Sequence, residues 1–330
     1  MSAAPLRWGI LGTGGIAKKF VEGLQQVADR CPVVAVGSRS LDSARTFAAT
    51  VAGCRAHGSY QALLDDPTVD VVYVALLNHQ HAEWCIRAAQ AGKHVLCEKP
   101  AAMTAVELEG VLAAARAAGT FFMEGFLYRC HPRWAKLREI LASGVIGEVR
   151  LLHAVFCFDG SAVRRLQERA LGGGALMDVG CYPLSWLRWI AGSEPVATTC
   201  LAQLNADGVD LVTSATLRFA NGILGTLHTS FVAHRHITAM IEGSRGRIDI
   251  TEPWRSTPNE SAFIITTAAG SETFPTADDG LNTYAREALT VAAHVADRQA
   301  PVMTWGDSLG QARTMDALRH QVGVWWDGER

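Results

Sequence analysis

The sequence predicts a chain of two domains that differ in class: an α/β domain on a parallel sheet, then an α+β domain on a large, predominantly antiparallel open sheet. Three observations predict it. An apolar run at Leu6–Leu11 passes straight into Gly12-Thr-Gly-Gly-Ile-Ala17 and then into a helical pattern. From there to Met123, short apolar runs alternate with helix-period segments, the signature of strands joined by crossover helices. From Val196 to Thr267 the pattern changes to successive strands, with Asn221-Gly222 as a hairpin signal between two of them. The 330 residues suffice for two domains. The expected boundaries are 1–123, 124–304, and a closing helix within 305–330 that packs back on the first domain.

Composition narrows the partners. Hydrophobic residues make up 49% and charged residues 19%, so the chain can bury a sizeable core. A formal net charge of -2 with no basic cluster gives no reason to expect a nucleic-acid partner. No apolar run reaches the roughly 18 residues that a membrane span needs, and no signal-peptide pattern is seen, so no membrane partner is expected. None of the 8 cysteines forms a Cys-x-x-Cys pair, which predicts buried thiols in a reducing, cytoplasmic setting.

The first strand, glycine turn and helix satisfy the dinucleotide fingerprint. Gly12 makes the tight turn, Gly14 lets backbone approach a pyrophosphate, and Ala17 permits close helix–strand packing. Thr13, Gly15 and Ile16 complete the candidate phosphate-binding segment at the helix N-terminus. Strands are expected at Val33–Gly37, Ala56–His57, Asp70–Leu77, Val95–Cys97 and Phe121–Met123. Helices are expected at Leu41–Val51, Tyr60–Leu64, Ala82–Ala91 and Val106–Ala118, the last stopped by Gly119.

Ser38-Arg39-Ser40 ends the second strand, where an NAD site usually places a carboxylate for the ribose hydroxyls. Arg39 can stack on adenine and pair with a 2′-phosphate, and Ser38 can donate a hydrogen bond to it. NADP(H) is therefore the preferred cofactor and NAD(H) the alternative; a solvated Arg39 is the plainer reading. Leu76 lies at the end of the fourth strand, and Asn78 and His81 follow it on the expected ligand edge, with His81 either hydrogen-bonding near the cofactor or packing as a polar residue. Asn78 is expected to cap the next helix. His79 and His81 lack partners at metal-ligand spacing, so no metal is expected.

Gly92-Lys-His-Val-Leu-Cys-Glu-Lys-Pro100 leads through the fifth strand to Glu98 and Lys99 at its carboxyl end. Pro100 biases Lys99 toward extended backbone. Glu98 and Lys99 join the cofactor-binding candidates, and Lys99 is the candidate cation beside a reacting oxygen. A pair of solvated charges at a strand end is the alternative.

The second half opens with Glu124–Pro132 and a helix at Trp134–Leu141. A strand at Val149–Phe158 follows, then a charged loop or short helix at Val163–Arg169. Gly172–Pro183 approaches a helix through three glycines. Asp178 and Tyr182 lie four apart, a spacing that puts both on one face of an α-helix. A carboxylate and a phenol so placed can orient a hydroxyl or carbonyl, while local capping and core packing are the equal alternative. Six strands follow, closed by helices at Tyr284–Val295 and Leu309–Leu318. The apolar character of Ile223–Val232 suggests that the sheet's second face joins two copies of the chain.

Gly12–Ala17, Glu98-Lys99-Pro100 and Gly172–Tyr182, followed by the strand-rich half, resemble the glucose–fructose oxidoreductase/inositol dehydrogenase (Gfo/Idh/MocA) family over nearly the whole chain. The resemblance implies a Rossmann domain joined to an α+β domain. It also implies NAD(P)-dependent redox chemistry on sugars, polyols or related alcohols. It carries the family's lysine onto Lys99 and its acidic position onto Asp178. Tyr182 stands where many members have histidine, which resembles the branch of dimeric dihydrodiol dehydrogenase and 1,5-anhydrofructose reductase. Leu77 stands where many members have proline.

The resemblance thus implies a secondary alcohol and a carbonyl interconverted on a sugar derivative. Tyr182 serves as proton donor, Lys99 stabilises charge on the oxygen, and Asp178 positions a neighbouring hydroxyl. Arg129 and His153 are weaker substrate-loop candidates, with ordinary polar packing the favoured alternative. A trans-dihydrodiol dehydrogenase and a non-catalytic nucleotide sensor are the competing functions. A homodimer through the second domain's sheet is expected.

Overall fold

The computed structural model describes residues 4–254, 262–275, 280–326 and 329. In chain order it begins β1 (Trp8–Leu11), α1 (Gly15–Leu24), β2 (Val33–Gly37), α2 (Leu41–Ala48), β3 (Arg55–His57) and α3 (Tyr60–Leu64). There follow β4 (Val71–Val74), α4 (His81–Gln90), β5 (His94–Glu98), α5 (Ala105–Ala118) and β6 (Phe122–Gly125). The second half holds α6 (Arg133–Ala142), β7 (Val149–Asp159), α7 (Arg164–Gln167), a π-helical turn (Leu176–Gly180) and α8 (Cys181–Ala191). Strands β8 (Pro195–Leu204), β9 (Asp210–Phe219), β10 (Leu224–Ser230) and β11 (Val232–Gly243) come next. The described chain closes with β12 (Gly246–Thr251), β13 (Ala262–Thr267), β14 (Gly270–Pro275), α9 (Thr283–His294) and α10 (Trp305–Gln321).

These elements form two compact units: Met1–Cys130 with Leu281–Leu309, and His131–Gly280 with Gly310–Arg330. The first holds a six-stranded sheet in the order β3-β2-β1-β4-β5-β6, and every pairing is parallel. Strand order reverses between β1 and β4, so their carboxyl ends open the crevice where such sheets take ligands. Both strands are buried throughout, as a parallel sheet covered on two faces requires. Phe20 of α1 fixes that helix to the sheet, stacking on Tyr73 at 3.8 Å and tilting against Trp8 at 5.2 Å.

α9 belongs to this first unit, and the chemistry of its docking is local. Asn282 caps it by accepting the Tyr284 N–H at 2.9 Å, and Gln26 accepts the Asn282 N–H at 2.6 Å. Gly23 leaves room for the approach: a Cβ there would lie 2.8 Å from both Asn282 Oδ1 and Tyr284 Cβ.

The second unit holds an eight-stranded sheet in the order β14-β13-β12-β11-β7-β10-β9-β8. Only the β7–β10 pairing is parallel; the rest are antiparallel. Buried and accessible residues alternate along β9, the mark of one covered face. α8 covers that face, and Gly225 lets Leu187 approach, since a Cβ there would stand 3.3 Å from it. The Asn221-Gly222 turn joins β9 to β10 with Gly222 at φ 85°.

Several expectations are corrected here. The predicted fourth strand, Asp70–Leu77, pairs only over Val71–Val74 because its partner β1 stops at Leu11 and the chain turns at Gly12. β14 escaped the sequence pattern because Gly-Ser-Glu-Thr-Phe-Pro is polar and lies at an edge. The closing segments also exchange places. Residues 281–304 were expected in the second domain, yet they complete the first unit. The helix in 305–330 was expected on the first domain, yet from Gly310 onward it belongs to the second. Buried Gln311 explains the latter: it donates to Cys181 O at 2.9 Å and accepts from Arg188 Nη1 at 3.0 Å.

Candidate active site

In the first unit the glycine turn is built around a close backbone approach. Gly12 has φ 104°, and a Cβ on it would stand 2.6 Å from Ala75 O and 3.2 Å from Leu76 Cδ2. The turn therefore demands glycine on conformation and on space. Gly14 is the N-cap of α1; no side chain caps it and no acidic residue occupies the first turn. A Cβ on Gly14 or Gly15 would meet nothing within 4 Å. A helix N-terminus left open and without a competing carboxylate fits a pyrophosphate held by backbone N–H groups. Thr13 and Ile16 belong to this turn, and Ala17 is fully buried against the sheet.

At the end of β2, Ser38 is buried and its N–H donates to His57 O at 3.1 Å. Arg39 is exposed. Burial raises the Tyr60 hydroxyl above its ordinary range, and the nearby Arg39 charge partly offsets it. Asp42, the nearest acid in sequence, is 94% exposed and faces Arg45 at 3.9 Å. The edge thus offers a guanidinium and hydroxyls, and the acid next in sequence, Asp42, lies in the first turn of α2.

His81 locks the neighbouring loops. Its Nδ1 lies 2.7 Å from Pro100 O and its Nε2 3.2 Å from Leu76 O. Burial lowers its pKa to about 4, outweighing the two carbonyls, so the ring is neutral and donates to one of them at a time. It ties the loop after β4 to the loop after β5 by its side chain. Asn78 does not cap α4 as expected; the N-cap position is Gln80, and the Asn78 carbonyl accepts the His81 N–H. No group of three or more His, Cys, Asp or Glu side chains gathers as a metal-ligand set among the described residues.

Glu98 ends β5 buried, accepting from the Tyr73 hydroxyl through Oε1 and from the Lys99 N–H through Oε2 at 3.3 Å. Lys99 is half-buried and joined to Pro100 by a cis peptide. The lysine that precedes β5 is structural: Lys93 Nζ donates to Asp66 O and Val69 O at 2.8 and 2.9 Å. Arg129, expected near substrate, is buried instead, donating to Val302 O at 3.2 Å and facing Asp307 at 3.6 Å.

In the second unit Asp178 sits within the π-helical turn and Tyr182 in the first turn of α8. The one-face argument from α-helical spacing is therefore replaced by a wider turn. Pro183 has no N–H to give to the Val179 carbonyl four residues back, which is where the α-helical ladder would otherwise continue. Asp178 Oδ1 accepts from Arg165 Nη1 at 2.8 Å, so the carboxylate is held by a cation from α7. Tyr182 lies among aromatic rings, 5.6 Å from Phe156 and 6.1 Å from Trp254. His153 points to another strand, its Nδ1 2.6 Å from Thr226 Oγ1.

The comparisons with known proteins agree with this division. The oxidoreductase family profile with an NAD-binding Rossmann fold matches residues 6–126, and the GFO/IDH/MocA C-terminal domain profile matches residues 134–249. The chain belongs to the GFO/IDH/MocA oxidoreductase family. It is an NAD(P)-dependent oxidoreductase. An uncharacterised oxidoreductase of Rhizobium meliloti is 35% identical, over 97% of this chain and 98% of its own. A trans-1,2-dihydrobenzene-1,2-diol dehydrogenase of Xenopus tropicalis is 32% identical, over 96% of this chain and 98% of its own. A solved 3-ketoreductase of Actinomadura kijaniata, in complex with NADP and TDP-benzene, is 30% identical with a TM-score of 0.88, covering 96% of this chain and 98% of that one.

Sequence reasoning missed several groups of this oxidoreductase. Arg165 was seen only as part of a charged loop; its pairing with Asp178 bridges 13 positions and leaves no periodic signal. Buried Asp210 accepts the Leu176 N–H at 2.7 Å and so anchors the start of the π-helical turn from β9. Tyr73 reads as a strand residue, and only the fold shows that it meets Glu98. All eight cysteines are free thiols, and no described helix is long and apolar enough to cross a membrane.

Proposed function

We propose that this oxidoreductase interconverts a secondary alcohol and a carbonyl on a sugar derivative, using NADP(H), and acts as a dehydrosugar reductase. The observation that carries this is its likeness, along nearly the whole of both chains, to a 3-ketoreductase solved with NADP. Ser38 and Arg39, standing where an NAD site usually places a carboxylate, support the NADP preference: a guanidinium pairs with a 2′-phosphate that an acid would repel.

A bound nicotinamide supplies or accepts the hydride. Tyr182 donates its phenolic proton to the carbonyl oxygen during reduction. The Lys99 ammonium favours negative charge on that oxygen. Asp178, steadied by Arg165, accepts a hydrogen bond from a neighbouring substrate hydroxyl. That 3-ketoreductase has been solved with one lysine replaced by alanine or glutamate and one tyrosine replaced by phenylalanine. The separation of those two positions differs by one residue from that of Lys99 and Tyr182, which supports their assignment here.

A second reading is favoured by a specific finding: several relatives 30–36% identical are named trans-1,2-dihydrobenzene-1,2-diol dehydrogenase. It keeps the chemistry and changes the substrate to an aromatic diol. We further propose a homodimer through the accessible face of the eight-stranded sheet, where Leu201 is 74% and Val196 59% exposed. Light scattering that returns a monomer mass would end that proposal.

The deciding experiment follows NADPH absorbance over a panel of dehydrosugars and trans-dihydrodiols. Turnover of dehydrosugars supports the first reading, and turnover confined to dihydrodiols replaces it with the second. In the same assay Lys99→Met is expected to lower single-turnover hydride transfer by about 10²- to 10³-fold with little change in NADPH binding. Tyr182→Phe is expected to lose about 10²- to 10⁴-fold. Near-parent rates in either variant remove that residue from the mechanism.

A further inference from the structure

One ionisable side chain near Lys99 has no part in the mechanism above. Glu287, on α9, is fully buried, and neither carboxyl oxygen has a hydrogen-bond partner among the described residues. Its location is fixed by Gly125, the last residue of β6. A Cβ there would lie 3.0 Å from Cys97 O, 3.4 Å from Glu287 Oε1 and 3.5 Å from Glu98 Cα. The Glu287 carboxyl therefore rests beside Gly125, which pairs with Glu98 where β5 and β6 end. We propose that Glu287 is a positioning residue, which seats the Glu98–Lys99 strand end and keeps a single negative charge behind Lys99.

The charge assignment follows from the neighbours. Glu98 accepts from Tyr73 and from the Lys99 N–H, whereas Glu287 has no donor. Two buried carboxylates side by side do not both ionise. The proton accordingly rests on Glu287, whose pKa is raised well above the carboxylate range by burial first and by Glu98 second. The other groups facing it do not supply a compensating charge. Tyr73 is held neutral by burial and by Glu98, with Tyr284 beside it. The Cys130 thiol is pushed up by burial. Arg129 next to Cys130 is engaged by Val302 O and Asp307, and Glu124 on β6 accepts the Ala101 N–H at 3.0 Å. Ionising Glu287 at alkaline pH would set a second negative charge against the strand end and displace it.

The experiment compares the parent with Glu287→Gln, which keeps the neutral shape, and Glu287→Ala, which empties it. Lys99 acts as proposed above, and the catalytic readout rests on that role. Expected is a roughly 10- to 100-fold lower kcat in the Ala variant. NADPH affinity should stay within about threefold, and kcat should be restored by the Gln variant. The parent's kcat should fall on an alkaline limb that Glu287→Gln lacks. A limb unchanged in Glu287→Gln, or parent-like kcat in Glu287→Ala, overturns the proposal. If the Ala variant does not fold, the parent–Gln comparison decides. A second readout needs no substrate: the melting temperature of Glu287→Gln should exceed the parent's by a margin that widens as pH rises from 5 to 9. A margin independent of pH denotes packing alone and overturns the proposal. Absence of turnover in every protein with a widening margin instead defeats the substrate reading and upholds the charge on Glu287.

Discussion

At the scale of single residues, two side chains set measurable conditions. Arg39, the proposed partner of a 2′-phosphate, is exposed after the end of β2. Replacing it with Ala is expected to raise KM for NADPH by about 10-fold or more while leaving KM for NADH nearly unchanged. Parallel assays with the two cofactors check this, and an equal loss with both would assign Arg39 to the fold. His81 sets a pH window. Its folded pKa, lowered to about 4 chiefly by burial, lies below its unfolded value, so the unfolded chain binds the extra proton first. The stability it contributes is full above about pH 6.5 and is lost as pH falls toward 4, by up to about 3 kcal/mol. Urea titrations at pH 7, 5 and 4 on the parent and His81→Asn should show the gap between them shrinking with pH. Residue types and their order along the chain pointed to Arg39, Lys99 and Tyr182. Neither Arg165 nor Glu287 could be found that way, because each acts through a neighbour that only folding supplies.

At the scale of elements, periodicity located most strands and helices because burial on one or both faces writes a period into the sequence. It did not yield the π-helical turn at Leu176–Gly180, since the spacing of Asp178 and Tyr182 also suits an α-helix. That turn is held from outside. Asp210 accepts the Leu176 N–H and the Thr213 hydroxyl, and Thr229 donates to Ala175 O at 3.2 Å. Asp210→Ala strands a buried N–H, at a cost of about 1–3 kcal/mol, and frees the segment that carries Asp178. The expected result is a lower melting temperature together with a loss in kcat/KM larger than the loss in NADPH affinity. Unchanged kcat/KM would mean that the turn keeps its shape without Asp210. Polar β14 shows the converse limit: an edge strand with little to bury leaves little pattern to read.

At the scale of the molecule, the division into a parallel and a mixed sheet was legible from the change in pattern alone. The destinations of α9 and α10 were not, because an amphipathic helix states that it needs a partner and not which one. The choice rests on particular fits: Gly23 and Asn282 for α9, Gln311 for α10. A fragment of residues 1–130 carries every strand of the parallel sheet, yet lacks the segment that covers Phe20 and Cys31. It is expected to show no cooperative melt and no measurable NADPH binding by fluorescence; normal binding would show that α9 is dispensable. The same arrangement bears on how the protein is made. The ribosome delivers the whole six-stranded sheet early, but the helix that seals it is translated some 150 residues later, after the second unit's sheet. The nascent nucleotide-binding unit must wait, with one flank open, until the second unit's sheet has emerged. A chain halted by a late stop codon before residue 281 would then lose its cofactor site although every residue of the glycine fingerprint had been made.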